Sequence, residues 1–172
     1  MEEPDREGRL KDVTMAGYVP GAIGRVAELH AAYYGANWGF GLDFEAQVAA
    51  GLAEFLPRFE PGRDGFWTVS QAGRVQGAVA IDGAQAATLG AHLRWFILAE
   101  ELRGQGLGGR LLGEAVDFCR RCGHASVYLW TFQGLDTARR LYEKHGFRLV
   151  EAREGEQWGT LVMEQRFVLK LV

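Results

Sequence analysis

In 172 residues the chain has two cysteines and four prolines, and nowhere an uninterrupted apolar run of membrane-spanning length. A bilayer-crossing helix needs about 20 consecutive apolar residues, so no membrane segment is expected. Met1–Asp12 is charged rather than basic and then apolar, which is not the pattern of a secretory leader, and a cytoplasmic location is the expectation. Two cysteines cannot build a disulfide framework. Cys119 and Cys122 form a Cys-x-x-Cys without a second pair or a histidine at ligand spacing, so no metal site is expected and both read as small apolar residues of a helix. The basic side chains form no dense lysine-rich run and the formal net charge is −3. A nucleic-acid partner is therefore not expected, because non-specific phosphate binding rests on clustered cations.

What remains is a chain that is 48% hydrophobic with charges of mixed sign, the size of one globular domain. Residues 1–10, charged and without periodicity, read as a disordered tail, and 11–172 as a single domain. Apolar spacing gives the order β-α-α-β-β-β-α-β-α-β-β. The strands fall near 11–19, 66–71, 74–82, 88–98, 126–132, 147–153 and 159–171. The helices fall near 23–34, 43–56, 104–123 and 134–145, the last closed by Gly146 with Phe147 just beyond it, as in a Schellman stop.

The most informative stretch is 91–109, AHLRWFILAEELRGQGLGG, an apolar strand that passes through an acidic turn into a glycine-rich helix start. A helix N-terminus offers unpaired N–H groups and the positive end of the macrodipole, so it favours an anion. Three ligands could use such a loop. A P-loop needs Lys-Ser or Lys-Thr after its last glycine, whereas Gly109 is followed by Arg110-Leu111. Gly104-x-Gly106-x-x-Gly109 satisfies the bare dinucleotide fingerprint, but the next strand, Ser126–Phe132, ends without the acidic residue that motif requires.

The third reading takes Arg103-Gly104-Gln105-Gly106-Leu107-Gly108 as Arg-x-x-Gly-x-Gly. It resembles the coenzyme A pyrophosphate loop of the GNAT superfamily of N-acetyltransferases. Further along, Leu141-Tyr142-Glu143-Lys144-His145-Gly146-Phe147 resembles the Leu-Tyr-x-x-x-Gly-Phe ending of that superfamily's last helix. The segments 30–56, 93–96, 128–132 and 157–160 resemble the acetyltransferase half of proteins that fuse a MarR-type regulator to a GNAT domain, and the likeness runs over roughly residues 18–171.

The resemblance implies an α/β (α+β) GNAT fold: a mixed, mostly antiparallel sheet with one parallel, splayed pair of strands, flanked by about four helices. It implies acetyl-CoA as co-substrate, no metal, and direct attack by a primary amine of a small molecule or peptide within a ternary complex. The alternative is a non-catalytic module that binds acyl-CoA or an amine and regulates a partner. By the resemblance, Phe96, Ile97 and Leu98 pair with the pantetheine arm through their backbone. Arg103, Gly104, Gln105, Gly106, Leu107, Gly108, Gly109 and Arg110 cradle the phosphates, with Arg139 as a further cation. Tyr142 is the general acid for the departing thiolate, since a phenol is still protonated at neutral pH. The base is left open between His92 and Glu164. Tyr33, Trp38, Phe40, Trp130 and Trp158 are the aromatic candidates for the acceptor site. Leu135 stands where relatives often carry an asparagine that contacts the cofactor. The C-terminal hairpin ending in Phe167–Val172 invites edge-to-edge pairing across a homodimer.

Overall fold

The computed structural model describes residues 12–172, so the tail expected at 1–10 lies outside the described residues. Apolar periodicities of two and of about 3.6 sort these residues into β1 (Val13–Ala16), α1 (Ala22–Trp38), α2 (Leu42–Phe55), β2 (Gly65–Gln71), β3 (Arg74–Asp82), β4 (Ala91–Leu98), α3 (Leu107–Arg121), β5 (Ser126–Phe132), α4 (Asp136–Lys144), β6 (Arg148–Gly155) and β7 (Val162–Lys170), with one turn of 3-10 helix at Glu100–Leu102. The element order is the expected one. Helix α1 runs on to Trp38, so the loop expected at 35–42 shrinks to a tight turn, and Thr88–Gly90 is a turn rather than the start of a strand.

The sheet order is β1-β2-β3-β4-β5-β7-β6, and every neighbouring pair is antiparallel except β4–β5. This is the mixed α/β architecture that the resemblance implies. Strand β7 lies between β5 and β6. Within the C-terminal hairpin β7 is thus interior, with Phe167 and Leu169 buried, and the edge that the hairpin leaves open on that side is β6.

Each face of the sheet carries one apolar layer. Leu107, Leu111, Leu112, Ala115, Val116 and Cys119 put one stripe of α3 against Val79, Leu93, Val127, Leu129 and Phe167, and Tyr142 and Phe147 join them from α4 and its end. On the other face Val26, Phe44, Val48, Leu52 and Phe55 of α1 and α2 cover Ala78, Ala80, Ile97 and Phe132. Cys119 and Cys122 are free, and burial pushes the Cys119 thiol up to about 12, with Cys122 beside it adding to the shift. Among the described residues no helix is long and apolar enough to cross a membrane, and no three His, Cys, Asp or Glu side chains gather to hold a metal ion.

One buried carboxylate ties the chain together beside the end of β3. Asp64 is 1% exposed; it accepts hydrogen bonds from the N–H groups of Glu60 (2.9 Å) and Gly83 (2.8 Å) and from Arg63 Nη2 (2.7 Å). Burial alone would raise its pKa. The Arg63 guanidinium and the two backbone donors outweigh that and hold it below the usual carboxylate range. A folded-state value below the unfolded one means that the stabilisation is present above the unfolded pKa of about 3.9 and is lost as pH falls through the folded value. Asp64→Asn is expected to cost about 2 kcal/mol at pH 7, seen as a melting temperature lower by roughly 4–8 °C. That gap should close in thermal scans taken below pH 4; a gap independent of pH would contradict the assignment.

Candidate active site

Strands β4 and β5 pair in parallel at only two positions, Ala91 with Val127 and His92 with Tyr128, and then diverge. The cause lies in β4. Between its partners Arg94 (opposite Ala80) and Ile97 (opposite Ala78) it carries one residue more than β3 does, and Trp95 sits at φ 51°, a left-handed conformation uncommon for a bulky side chain. The bulge exchanges the faces. Before it, Ala91 and Leu93 point into the α3/α4 layer; after it, Phe96 and Leu98 do so, while Trp95 and Ile97 enter the α1/α2 layer. The sheet therefore opens in its middle, and a space lies on each side of the opening.

On the α3/α4 side is a cleft of about 730 Å³. Its floor is Phe96, Ile97 and Leu98, and its walls are the loop Arg103–Gly109 and the start of α4. Gly104 (φ 73°) and Gly106 (φ 81°) take the left-handed conformation, which a Cβ would disfavour, and Gly106 is the N-cap of α3. The first intrahelical bond there is made by Arg110 N–H to Gly106 O (3.1 Å). The N–H groups of Leu107, Gly108 and Gly109 thus precede the hydrogen-bonded helix. A Cβ on Gly109 would meet nothing within 4 Å, whereas one on Gly108 would press on Leu141. Gly109 leaves the cradle open, and Gly108 lets α3 and α4 approach.

The expected phosphate-site residues are partly rearranged. Arg103 donates from Nε to Leu98 O (3.0 Å) and its guanidinium lies 4.2 Å from the Tyr33 ring centroid, so Tyr33 belongs to this cleft and not to the acceptor side. Gln105 folds back to Glu101 O (3.1 Å), leaving its Oε1 buried without a partner among the described residues. Leu107 is core. Arg110 is exposed and outside the cleft lining, and Arg139 bonds Glu143 (3.0 Å) over the Phe167 ring. The cations of α4 that do line the cleft are Arg140 and Lys144.

On the α1/α2 side is a smaller cavity, about 250 Å³, lined by aromatic side chains that include Phe40, Phe44, Trp130 and Trp158. It shares Tyr34, Phe96 and Leu135 with the cleft, so the two spaces meet at the opening in the sheet. Tyr142 forms part of the cavity wall at that junction. Its place is set by the end of α4: Phe147 N–H donates to Tyr142 O (3.0 Å) and Gly146 N–H to Glu143 O (3.0 Å), the two bonds of a Schellman stop, with the Tyr142 and Phe147 rings 6.0 Å apart. Burial, and to a lesser extent the neighbouring Tyr34, push the Tyr142 phenol above its ordinary pKa, so it holds its proton throughout the neutral range.

The remaining candidates separate. Trp38 packs in the last turn of α1 against Phe132, outside the cavity lining; Phe40, although in a turn, is 5% exposed and stacked on Tyr34. Glu164 is 2% exposed, accepts Gln157 N–H (2.9 Å) and pairs with Arg153 (3.4 Å), and it too is absent from the lining. His92 does line the cavity, stacked on Tyr128 at 4.4 Å, and burial with Arg94 nearby lowers its pKa to about 3. Sequence spacing gives no hint of His30, which lines the same cavity from an apolar helix face. Its Nδ1–H donates to Val26 O (2.8 Å), which leaves Nε2 as the lone pair of a neutral ring, and burial brings its pKa to about 4.

With this geometry in hand, the likeness to known proteins is informative. The model of the acetyltransferase (GNAT) family matches residues 24–147. Among curated proteins none matches. Solved structures similar to the chain include an acetyltransferase from Streptococcus agalactiae 2603, 17% identical over 94% of this chain and 99% of that one, with a TM-score of 0.72. The Salmonella typhimurium protein yncA, solved with its cofactor acetyl-CoA, is 17% identical over 94% of this chain and 95% of its own, with a TM-score of 0.68. The ribosomal-protein-S18-alanine N-acetyltransferase from Escherichia coli is 17% identical over 92% and 94%, with a TM-score of 0.67. At such identities the structures bear on the fold, and the family model spans well over half of the sequence: the chain belongs to the GNAT acetyltransferase family.

Proposed function

We propose that the protein transfers an acetyl group from acetyl-CoA to a primary amine of a small molecule or peptide, by direct attack of the amine. The observation that carries this reading is the meeting of a phosphate-cradling cleft and an aromatic cavity at one opening in the sheet, with a protonated tyrosine in the wall. When bound, acetyl-CoA supplies an acyl group already activated as a thioester. The chain's own groups do the rest. The free N–H groups at the start of α3, with the dipole behind them and Arg140 and Lys144 across the cleft, favour a diphosphate. Phe96–Leu98, released from β5 by the splay, present backbone to an extended arm. Tyr142 holds at its hydroxyl the proton that the departing thiolate needs. Of the two base candidates, His92 lines the cavity and has a free lone pair over the whole neutral range, but a group with a pKa of about 3 is a weak base.

A binding module without turnover is the competing reading. Leu135 favours it, an apolar side chain at the junction of the two spaces, as does the resemblance of the sequence to the acetyltransferase half of regulator fusions. Thiol release from acetyl-CoA across a panel of amines decides between them, since binding is common to both. Release with one amine class, reduced at least tenfold in Tyr142→Phe with acetyl-CoA affinity unchanged, is the expected result. Unchanged turnover in that variant would take Tyr142 out of the mechanism.

Gly109→Glu tests the cradle itself. Its Cβ meets open space, and an acidic residue in the first turn of a helix does not destabilise it, yet the carboxylate would oppose a diphosphate. Calorimetry should show acetyl-CoA affinity at least tenfold weaker with an unchanged melting temperature; unweakened binding would place the phosphates elsewhere. The pH–rate profile should rise with deprotonation of the acceptor's ammonium group and show no limb near 6.5. A limb there, removed by His92→Gln, would make His92 the base after all.

A further inference from the structure

Among the described residues of the acceptor cavity, Arg94 stands apart because it alone brings a permanent charge to the wall. The two histidines in that wall are neutral at physiological pH, and no Asp or Glu among the described residues lines it. The guanidinium is fixed in place: its carbon lies 4.0 Å from the Trp95 ring centroid, and Nη1 reaches Asp82 at 3.3 Å. Helix α2 makes room for it with Gly51, where a Cβ would come within 3.3 Å of Nη2 and still closer to the Trp95 ring.

Its counter-charge is shared. Asp82 takes two hydrogen bonds from Arg58, at 2.6 and 3.1 Å, and the longer contact from Arg94 is the third claim on one carboxylate. Glu54, the other acid near Arg94, is itself bonded to Arg58 at 2.6 Å. Burial consequently outweighs Asp82 and Glu54 and leaves the Arg94 pKa below the ordinary guanidinium value, the mark of a cation that its surroundings compensate incompletely. Four of its five N–H groups have no partner among the described residues.

We infer that Arg94 receives an anionic group of the acceptor, and that the acceptor is a small amine carrying a carboxylate, of the kind an apolar α-amino acid provides. This rests on the acetyltransferase reading above. The cavity has an apolar, aromatic body, a junction with the cleft at Phe96 and Leu135 where the amine must arrive, and Arg94 in the remaining wall. Its 250 Å³ suits a molecule of amino-acid size. A planar guanidinium matches a carboxylate through two parallel N–H bonds, and a polyamine would bring a second positive charge to a wall that has no acid to meet it.

The test compares apolar α-amino acids with their methyl esters, their decarboxylated amines and spermidine, in wild type, Arg94→Gln and Arg94→Lys, by thiol release from acetyl-CoA. The expected result is a kcat/KM at least tenfold higher for the acid than for its ester, mostly through KM. That preference should vanish in Arg94→Gln and survive in part in Arg94→Lys. Esters or plain amines turned over as well as the acids in wild type would overturn the inference and leave acetyl transfer standing. So would an acid preference that persists in a folded Arg94→Gln protein. The wild-type comparison needs no variant and decides the matter if Arg94→Gln does not fold. Should no amine release thiol, the acetyltransferase reading fails, and calorimetry of the amino acids alone decides the role of Arg94: binding lost in Arg94→Gln supports it, and no binding to wild type overturns it.

Discussion

The bulge at Trp95 is the constraint on which the rest of the site depends. A regular β4 would keep one parity from Ala91 to Leu98 and could stay paired with β5 along its length, closing the sheet. One additional residue turns Phe96 and Leu98 toward α3 and α4, sends Trp95 and Ile97 toward α1 and α2, and ends the β4–β5 pairing after His92 and Tyr128. A left-handed φ on a bulky residue costs on the order of 1–3 kcal/mol. Packing offsets it: the Trp95 ring lies 5.6 Å from Phe55 and beneath the Arg94 guanidinium. The side chain that carries the strain is also the platform for the charge in the acceptor wall.

Two helix ends complete what the opening begins, and they do so by opposite means. The start of α3 leaves N–H groups unpaired and exposes them between glycines. The end of α4 pairs its Tyr142 and Glu143 carbonyls with the N–H groups of Phe147 and Gly146, and in doing so fixes Tyr142, whose ring packs against both Phe147 and Phe96. Phe96 thereby joins the two ends: it floors the cleft, borders the cavity and sets the distance between the tyrosine and the splayed strand. A single partly buried ring thus couples the geometry of the cleft to that of the cavity.

How far the sequence revealed this depends on the range of the forces involved. Local signals were legible: the glycine spacing 104–109, the Leu-Tyr-x-x-x-Gly-Phe stop and the order of elements all follow from backbone geometry within a few residues. The bulge was not legible, because AHLRWFIL keeps an apolar residue at nearly every position and the switch of parity is visible only against the register of β3. Helix faces are likewise settled only by packing: Tyr33 was expected beside the acceptor and lies under Arg103, and Arg139 was expected in the cleft that Arg140 lines. Phe40 shows the limit of reading exposure from a turn, since its ring points inward into an aromatic stack. Glu164 shows a second limit: a carboxylate on the last strand reads as a base until its hydrogen bond from Gln157 N–H and its pairing with Arg153 are known. His30 and Arg94 gain significance only from the cavity that brings them together.

In the proposed acetyl transfer, the same electrostatic arrangement bears on how the amine loses its proton. An amine reaching the junction of cleft and cavity leaves water, and desolvation disfavours its protonated form. Arg94 acts in the same direction, because a fixed positive charge opposes a second one, while the neutral state of His30 and His92 adds no negative charge that would favour an ammonium. An incoming amine is thereby pushed toward the free base, the form that attacks. A carboxylate on the same molecule would screen part of this effect where it pairs with Arg94, so the separation between amine and carboxylate governs how much of the shift survives. In the proposed reaction, a wall that combines one arginine, two neutral histidines and aromatic rings would lower the barrier to deprotonation through the acceptor's own pKa, and a weakly basic ring or a water would take up the proton.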